Sequence, residues 1–336
     1  METDTAAEPA RLPGRLVAAV RALRSRRRLW VAIQIVLVAG LLGFLSYAVR
    51  DAWADAAPRL RNADLVELGL ACVVLAAYYL LFVFGWMRIL AAWDIRISYR
   101  VAIQSEMVSM LAKYVPGGVW TPAARVLAVR RVGITDTPLV LASIGFEAGL
   151  SAVSGVLVFV VSLAFVDSVD APLLPLLLFT AAVVVALHPR VFRPLASRLL
   201  RPFGATEVRV LPLRTMVVLL AYYSFSWLVG GLAVFFMLRS VGGDPDLSSV
   251  PFLGGVSAVG AIVSVLAFFA PSGLGVREAS MYGLMLAIVA EGVALGATVL
   301  NRIAITVVEV ALLLGAALAW RLQRGPSPEP EPAESP

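Results

Sequence analysis

The sequence predicts an all-α polytopic membrane protein, and three observations lead there. Apolar residues make up 60% of the chain and the mean hydropathy is +0.89, against roughly 45–50% apolar residues in soluble domains. Several stretches approach the roughly 20 apolar residues that a membrane-crossing helix needs. The basic residues collect in particular loops between those stretches, a pattern that sets membrane orientation. The formal charge of +6 therefore reads as topology, and no nucleic-acid partner is expected.

Taken in order, residues 1–28 form a basic cytoplasmic N-terminal segment that ends in Arg24, Arg26, Arg27 and Arg28. A first span follows at 29–49. It is long for a signal peptide and lacks a clear small-residue cleavage site, so a retained anchor is expected. Asp51, Asp55 and Asp64 then precede a span at 65–90, and Arg88, Arg96 and Arg100 come at its end. Residues 101–131 are less apolar and are interrupted by Pro116, Gly117, Gly118 and Pro122. Spans at 139–165 and 173–187 flank an acidic turn with Asp167 and Asp170. A basic loop follows, holding Arg190, Arg193, Arg198, Arg201, Arg209 and Arg214. The span at 215–238 leads to Asp244 and Asp246, and residues 250–293 are apolar but broken at Pro271, Gly273 and Gly275. The last span, 297–320, precedes Arg321 and Arg324. The tail, 325–336, alternates Pro, Glu and Ser and is expected to be disordered.

The positive-inside rule arbitrates between topologies. Six full spans plus two re-entrant helical hairpins place every arginine-rich loop and both termini in the cytoplasm and every acidic turn outside. Eight spans, with 250–293 crossing twice, is the alternative. A weak repeat favours the hairpins. Ala77-Tyr78-Tyr79 is matched by Ala221-Tyr222-Tyr223, Pro116-Gly117-Gly118 by Pro271-Ser272-Gly273, and Glu147 by Glu309. The offsets drift from 144 (221−77) to 162 (309−147) residues. Repeats at 65–165 and 215–320 within a transmembrane domain at 29–320 would face opposite ways, the inverted plan of many transporters.

The rare residues narrow the chemistry. One cysteine, Cys72, and one histidine, His188, argue against a zinc site or a Ser-His-Asp triad. No nucleophile elbow, Walker A motif or H-E-x-x-H occurs, so no catalytic residue, metal or cofactor is expected. Backbone that leaves helical geometry inside a bilayer persists only where protein or a wet cavity satisfies it. The two breaks therefore point to the buried centre. They read Lys113-Tyr114-Val115-Pro116-Gly117-Gly118-Val119-Trp120 and Pro271-Ser272-Gly273-Leu274-Gly275-Val276-Arg277-Glu278.

Those two elements, in this order and at this separation, resemble signatures of the flippase-like membrane family that includes the transmembrane domain of lysylphosphatidylglycerol synthases. The similarity covers roughly residues 30–320. It implies an integral membrane protein that handles lipids or lipid-linked head groups. The cytosolic aminoacyl-transfer domain of the full synthases is not expected here, so their reaction is not implied. Ser272 stands where the family frequently has glycine.

The candidate substrate-binding residues are Lys113, Arg125, Glu147, Arg277, Glu278, Arg302 and Glu309. Lys113 and Arg277, at the broken-helix tips, suit a lipid phosphate; the plainer reading has Lys113 snorkel to the interface. Arg277 and Glu278 equally suit ion pairs that hold their hairpin. Glu147 lies between Gly145 and Gly149, a spacing that permits close helix contact, and an acid there needs a partner such as a cationic head group, a proton or Arg302. Arg302 and Glu309 lie two turns apart along one helix face. Glu106 either points with Lys113 or faces cytoplasmic water. Gly292 and Gly296 are expected at a helix contact, Trp120 as an anchor, the four tyrosines in packing, and His188 at the interface. The function expected is translocation of a phospholipid or lipid-linked head group across a bacterial cytoplasmic membrane, with membrane lipids as partners. The alternatives are an integral-membrane lipid-modifying enzyme, or a non-transporting subunit that docks onto a lipid- or glycan-modifying enzyme.

Overall fold

In a computed structural model of the chain, the described residues are 50–113, 120–166, 173–203, 209–267 and 270–323, with isolated positions between 36 and 47. The first span, the Pro116-Gly117-Gly118 break, the Asp167 and Asp170 turn and the tail lie outside them. The described residues form helices without any strand. They are α1 (Arg50–Arg61), α2 (Leu65–Ala91), α3 (Tyr99–Ala112), α4 (Trp120–Arg130), α5 (Thr137–Ser162) and α6 (Leu173–Leu187). Then come α7 (Pro189–Leu200), α8 (Leu213–Ser240), α9 (Val250–Leu266), α10 (Val276–Met285) and α11 (Glu291–Gln323).

Among the described residues, five helical stretches are long and apolar enough to cross a membrane: α2, α5, α8, Leu247–Leu266, and Glu291–Leu318 within α11. A bent pair, Leu174–Leu187 with Pro189–Leu200, adds a sixth if it counts as one span. Many of their apolar side chains face outward, among them Leu65, Val66, Val73, Leu157, Val217, Val218, Val307 and Leu314. Such faces are stable in lipid and would be a liability in water. The chain is a multi-pass membrane protein.

Two expectations from the sequence change here. The basic stretch after residue 187 is not simply a loop: α7 turns 79° from α6. It exposes Arg190, Arg193 and Arg198 while Phe192 and Ala196 pack beneath it. His188 caps it, its Nδ1 accepting from the Arg190 N–H at 3.3 Å. The second broken segment is also unequal, because its first arm alone passes the length test for crossing while α10 has only 10 residues. α10 nevertheless packs back on α9, as α3 and α4 pack on each other.

The order long helix, broken pair, long helix occurs twice, as α2, α3–α4, α5 and as α8, α9–α10, α11. The matched helices α2 and α8 run antiparallel. The Asp64 N–H at the start of α2 donates to Ser240 O at the end of α8 (2.8 Å), and Tyr222 Oη donates to Leu81 O (2.6 Å) near the other ends. Asp64 also caps α2 through the N–H groups of Val66 and Glu67. Each broken pair packs against both halves: α9 on α8 and on α5, and α3 on α2 and on α11.

Close packing of α5, α8 and α9 depends on glycine. A Cβ on Gly231 would lie 2.3 Å from Val250 O, one on Gly254 2.6 Å from Trp227 O, and one on Gly255 2.6 Å from Phe159 Cα. The expected contact at Gly145 is not present, since nothing lies within 4 Å of a Cβ there. Its neighbour Gly149 meets Leu187, and Gly292 and Gly296 meet Asp55 and Val241 as expected.

Candidate charged site between the broken helices

The site is assembled from elements that the fold forces together. α3 and α4 bring Glu106, Lys113 and Arg125; α5 brings Glu147; α10 brings Arg277 and Glu278; α11 brings Arg302 and Glu309. The contacts divide these residues into two groups.

In the first group, Arg125 makes ion pairs with both Glu106 and Glu147, and all three side chains are buried. The Arg125 guanidinium also lies 4.6 Å from the centre of the Trp86 ring, a cation–π contact. Trp86 is fixed by its Nε1 donating to Ser143 Oγ at 2.9 Å. One arginine thus holds three helices together. Glu106 does not face water as one reading had it, and the partner of Glu147 is Arg125 rather than Arg302. The reason is distance along the fold: α4 returns against α5, while Arg302 is engaged elsewhere.

In the second group, Lys113 pairs with Glu309, which also accepts from Tyr79 Oη at 2.7 Å. Lys113 is therefore held inward and does not simply snorkel. Arg302 reaches Glu278 Oε1 at 3.3 Å and Ser272 O at 3.4 Å. Glu278 uses its other oxygen to accept the Gly275 N–H at 2.7 Å, closing the start of α10 as an N3 acid does in a capping box. Arg277 makes no ion pair among the described residues, and its buried Nε has no hydrogen-bond partner there. Its charge acts on Lys113, Tyr78 and Tyr79, and that of Arg302 on Lys113, so three cations converge.

Among the described residues, the second group has three cations against Glu278 and Glu309, and the first has two carboxylates against one cation. The site is polarised, with an excess positive charge at the hairpin tips and an excess negative charge at Arg125. Tyr78 lies between them, feeling both Arg277 and Glu147. It packs against Tyr79, Phe82 and Trp227. The two halves contribute crosswise here too: Tyr79 of the first half bonds Glu309, while Tyr223 of the second lies within range of Glu147 and Arg125. The tyrosine pairs thus do more than pack. Trp120 is exposed, in keeping with an anchor.

The break itself carries strain. Gly273 and Gly275 adopt φ +65° and +84°, which suits glycine, but Ser272 also sits at φ 54°. A left-handed residue with a side chain costs ~1–2 kcal/mol. After subtracting the unfolded-chain entropy of glycine, Ser272→Gly is expected to stabilise the protein by about 0.5–1 kcal/mol. Thermal unfolding in detergent measures it. Gly273 itself has no room for a side chain, since a Cβ would lie 2.3 Å from Ser264.

A family model described as the lysylphosphatidylglycerol synthase TM region matches residues 31–313. The chain belongs to that family. No curated protein matches it. The match spans both broken segments and every residue of the charged site, and it supports a membrane role connected with lipids.

Proposed function

We propose that the protein moves a phospholipid or lipid-linked head group between the leaflets of a bacterial cytoplasmic membrane. The observation that carries this reading is Arg277: a cation on a broken-helix tip, inside a membrane protein, with no ion pair among the described residues. A partly buried charge inside a membrane protein without a counter-charge is costly. A lipid phosphate supplies that charge, with Lys113 and Arg302 close enough to share it and the acyl chains left in the surrounding lipid. Glu278 and Glu309 keep those two cations in place between substrates. No step requires a covalent intermediate. The antiparallel halves support alternating access by rocking of one half against the other. The acidic ends of α2 and α8, with Asp64 and Asp246, would face outward, and the ends with Arg88, Arg96 and Arg214 the cytoplasm.

The test is movement of fluorescent phospholipids by the purified chain in liposomes, with empty vesicles as control. Arg277→Ala is expected to cut the rate about tenfold or more, the worth of one or two charge-assisted hydrogen bonds at ~1.5–3 kcal/mol together. Its thermal unfolding should stay close to that of the parent, because no ion pair among the described residues is broken. Movement unchanged in the folded variant removes Arg277 from the site, and no movement of any head group removes the translocase.

A further inference from the structure

We infer that the Glu106–Arg125–Glu147 cluster is a proton-binding site, with one proton held by one of the two carboxylates. Both acids and the arginine between them are buried, at 3%, 4% and 4% exposure for Glu106, Glu147 and Arg125. With both acids ionised the cluster carries one uncompensated negative charge.

Among the described residues, no neighbouring element supplies a second cation. α8 presents Tyr223 and α2 presents Tyr78, and both are neutral phenols near Glu147. α6 and α9 contain no titratable residue. The charges on α7 and its cap, His188, Arg190, Arg193 and Arg198, are exposed, as is Arg201 just beyond. Arg130, at the end of α4, donates to Thr137 Oγ1 at 2.7 Å. From α11, Glu309 is taken by Lys113 and Arg302 by Glu278. Arg277 acts on the same tyrosine as Glu147 but makes no ion pair with it among the described residues.

A second observation points to the ligand. Glu147 Oε1 is buried without a hydrogen-bond partner among the described residues, although a buried carboxylate oxygen normally has one. A proton on either acid removes the excess charge, and two buried acids that share one cation titrate as a coupled pair. A metal ion fits poorly, because Arg125 already occupies the space between the acids. The step is an addition: a proton from water joins one carboxylate oxygen, giving a neutral carboxyl, and no other bond breaks. The site goes beyond the translocase reading and stands or falls separately from it.

Infrared difference spectroscopy on the full chain in phosphatidylcholine vesicles, titrated from acid to alkaline pH, tests it. A protonated-carboxyl C=O band should be present at neutral pH, be lost in Glu106→Gln and in Glu147→Gln alike, and remain in the control Glu67→Gln. Each glutamine leaves one acid for one arginine, so no proton is needed. Absence of the band from the parent protein overturns the proposal without recourse to any variant, and so does a band that survives both substitutions. Lipid movement in the same vesicles keeps the two readings apart. A band without movement supports the proton site and counts against the translocase, and movement without a band overturns the proton site alone.

Discussion

Arg125→Ala is expected to be the most damaging single substitution in the charged site. It strips the cation that pairs with both Glu106 and Glu147 and leaves two buried acids without a counter-charge among the described residues. Breaking a buried ion pair from one side costs ~3–5 kcal/mol, and here two pairs go at once. The cation–π contact with Trp86 is lost as well. The variant should unfold at markedly lower temperature in detergent, or fail to accumulate. A triple substitution separates charge from packing. Arg125→Met combined with Glu106→Gln and Glu147→Gln removes all three charges and should recover most of the loss. If the triple variant is as unstable as Arg125→Ala, packing rather than charge is responsible.

Gly231→Leu should come close behind, for a different reason. The helices α8 and α9 meet with backbone against backbone, and even a methyl group at residue 231 would lie 2.3 Å from Val250 O and 2.5 Å from Gly254 N. Backbone atoms cannot swing aside as a flexible side chain can, so the helices must separate. Overpacking typically costs ~1–3 kcal/mol and occasionally more. Separation would also disturb the Trp227 Nε1 hydrogen bond to Ser151 O (2.9 Å), which ties α8 to α5. Gly283→Ala provides the contrast, since nothing lies within 4 Å of its Cβ. A loss of thermal stability in the first and not the second confirms the contact; equal behaviour of the two refutes it.

The long helices were legible in the sequence because an uncharged apolar run of about 20 residues is the signature of a membrane crossing. The residues of the site were legible too, because charges and broken helices inside a membrane are costly enough to stand out. The pairing was harder to read. Arg302 looked available to Glu147, but which arginine reaches which acid depends on how α4 folds back against α5, and spacing along one helix carries no such information. The glycine contacts show the same limit. The Gly145 and Gly149 pair had the expected spacing, yet only Gly149 meets a neighbour. The tight crossing uses Gly231, Gly254 and Gly255, which appear in the sequence as Gly-Gly pairs rather than at helical spacing. The Ser272 substitution was visible from the start, but its meaning required a backbone angle.

The packing of the broken pairs bears on how such a chain arises. Each hairpin is covered from both halves: α3 rests on α2 of its own half and on α11 of the other, and α9 on α8 of its own half and on α5 of the other. A single unit of this kind, made by itself, would leave one side of its apolar arm uncovered. A second copy inserted upside down covers that side. An ancestor of half this length that entered the membrane in both orientations would have gained this cover, and fusion of two copies would have fixed one of each.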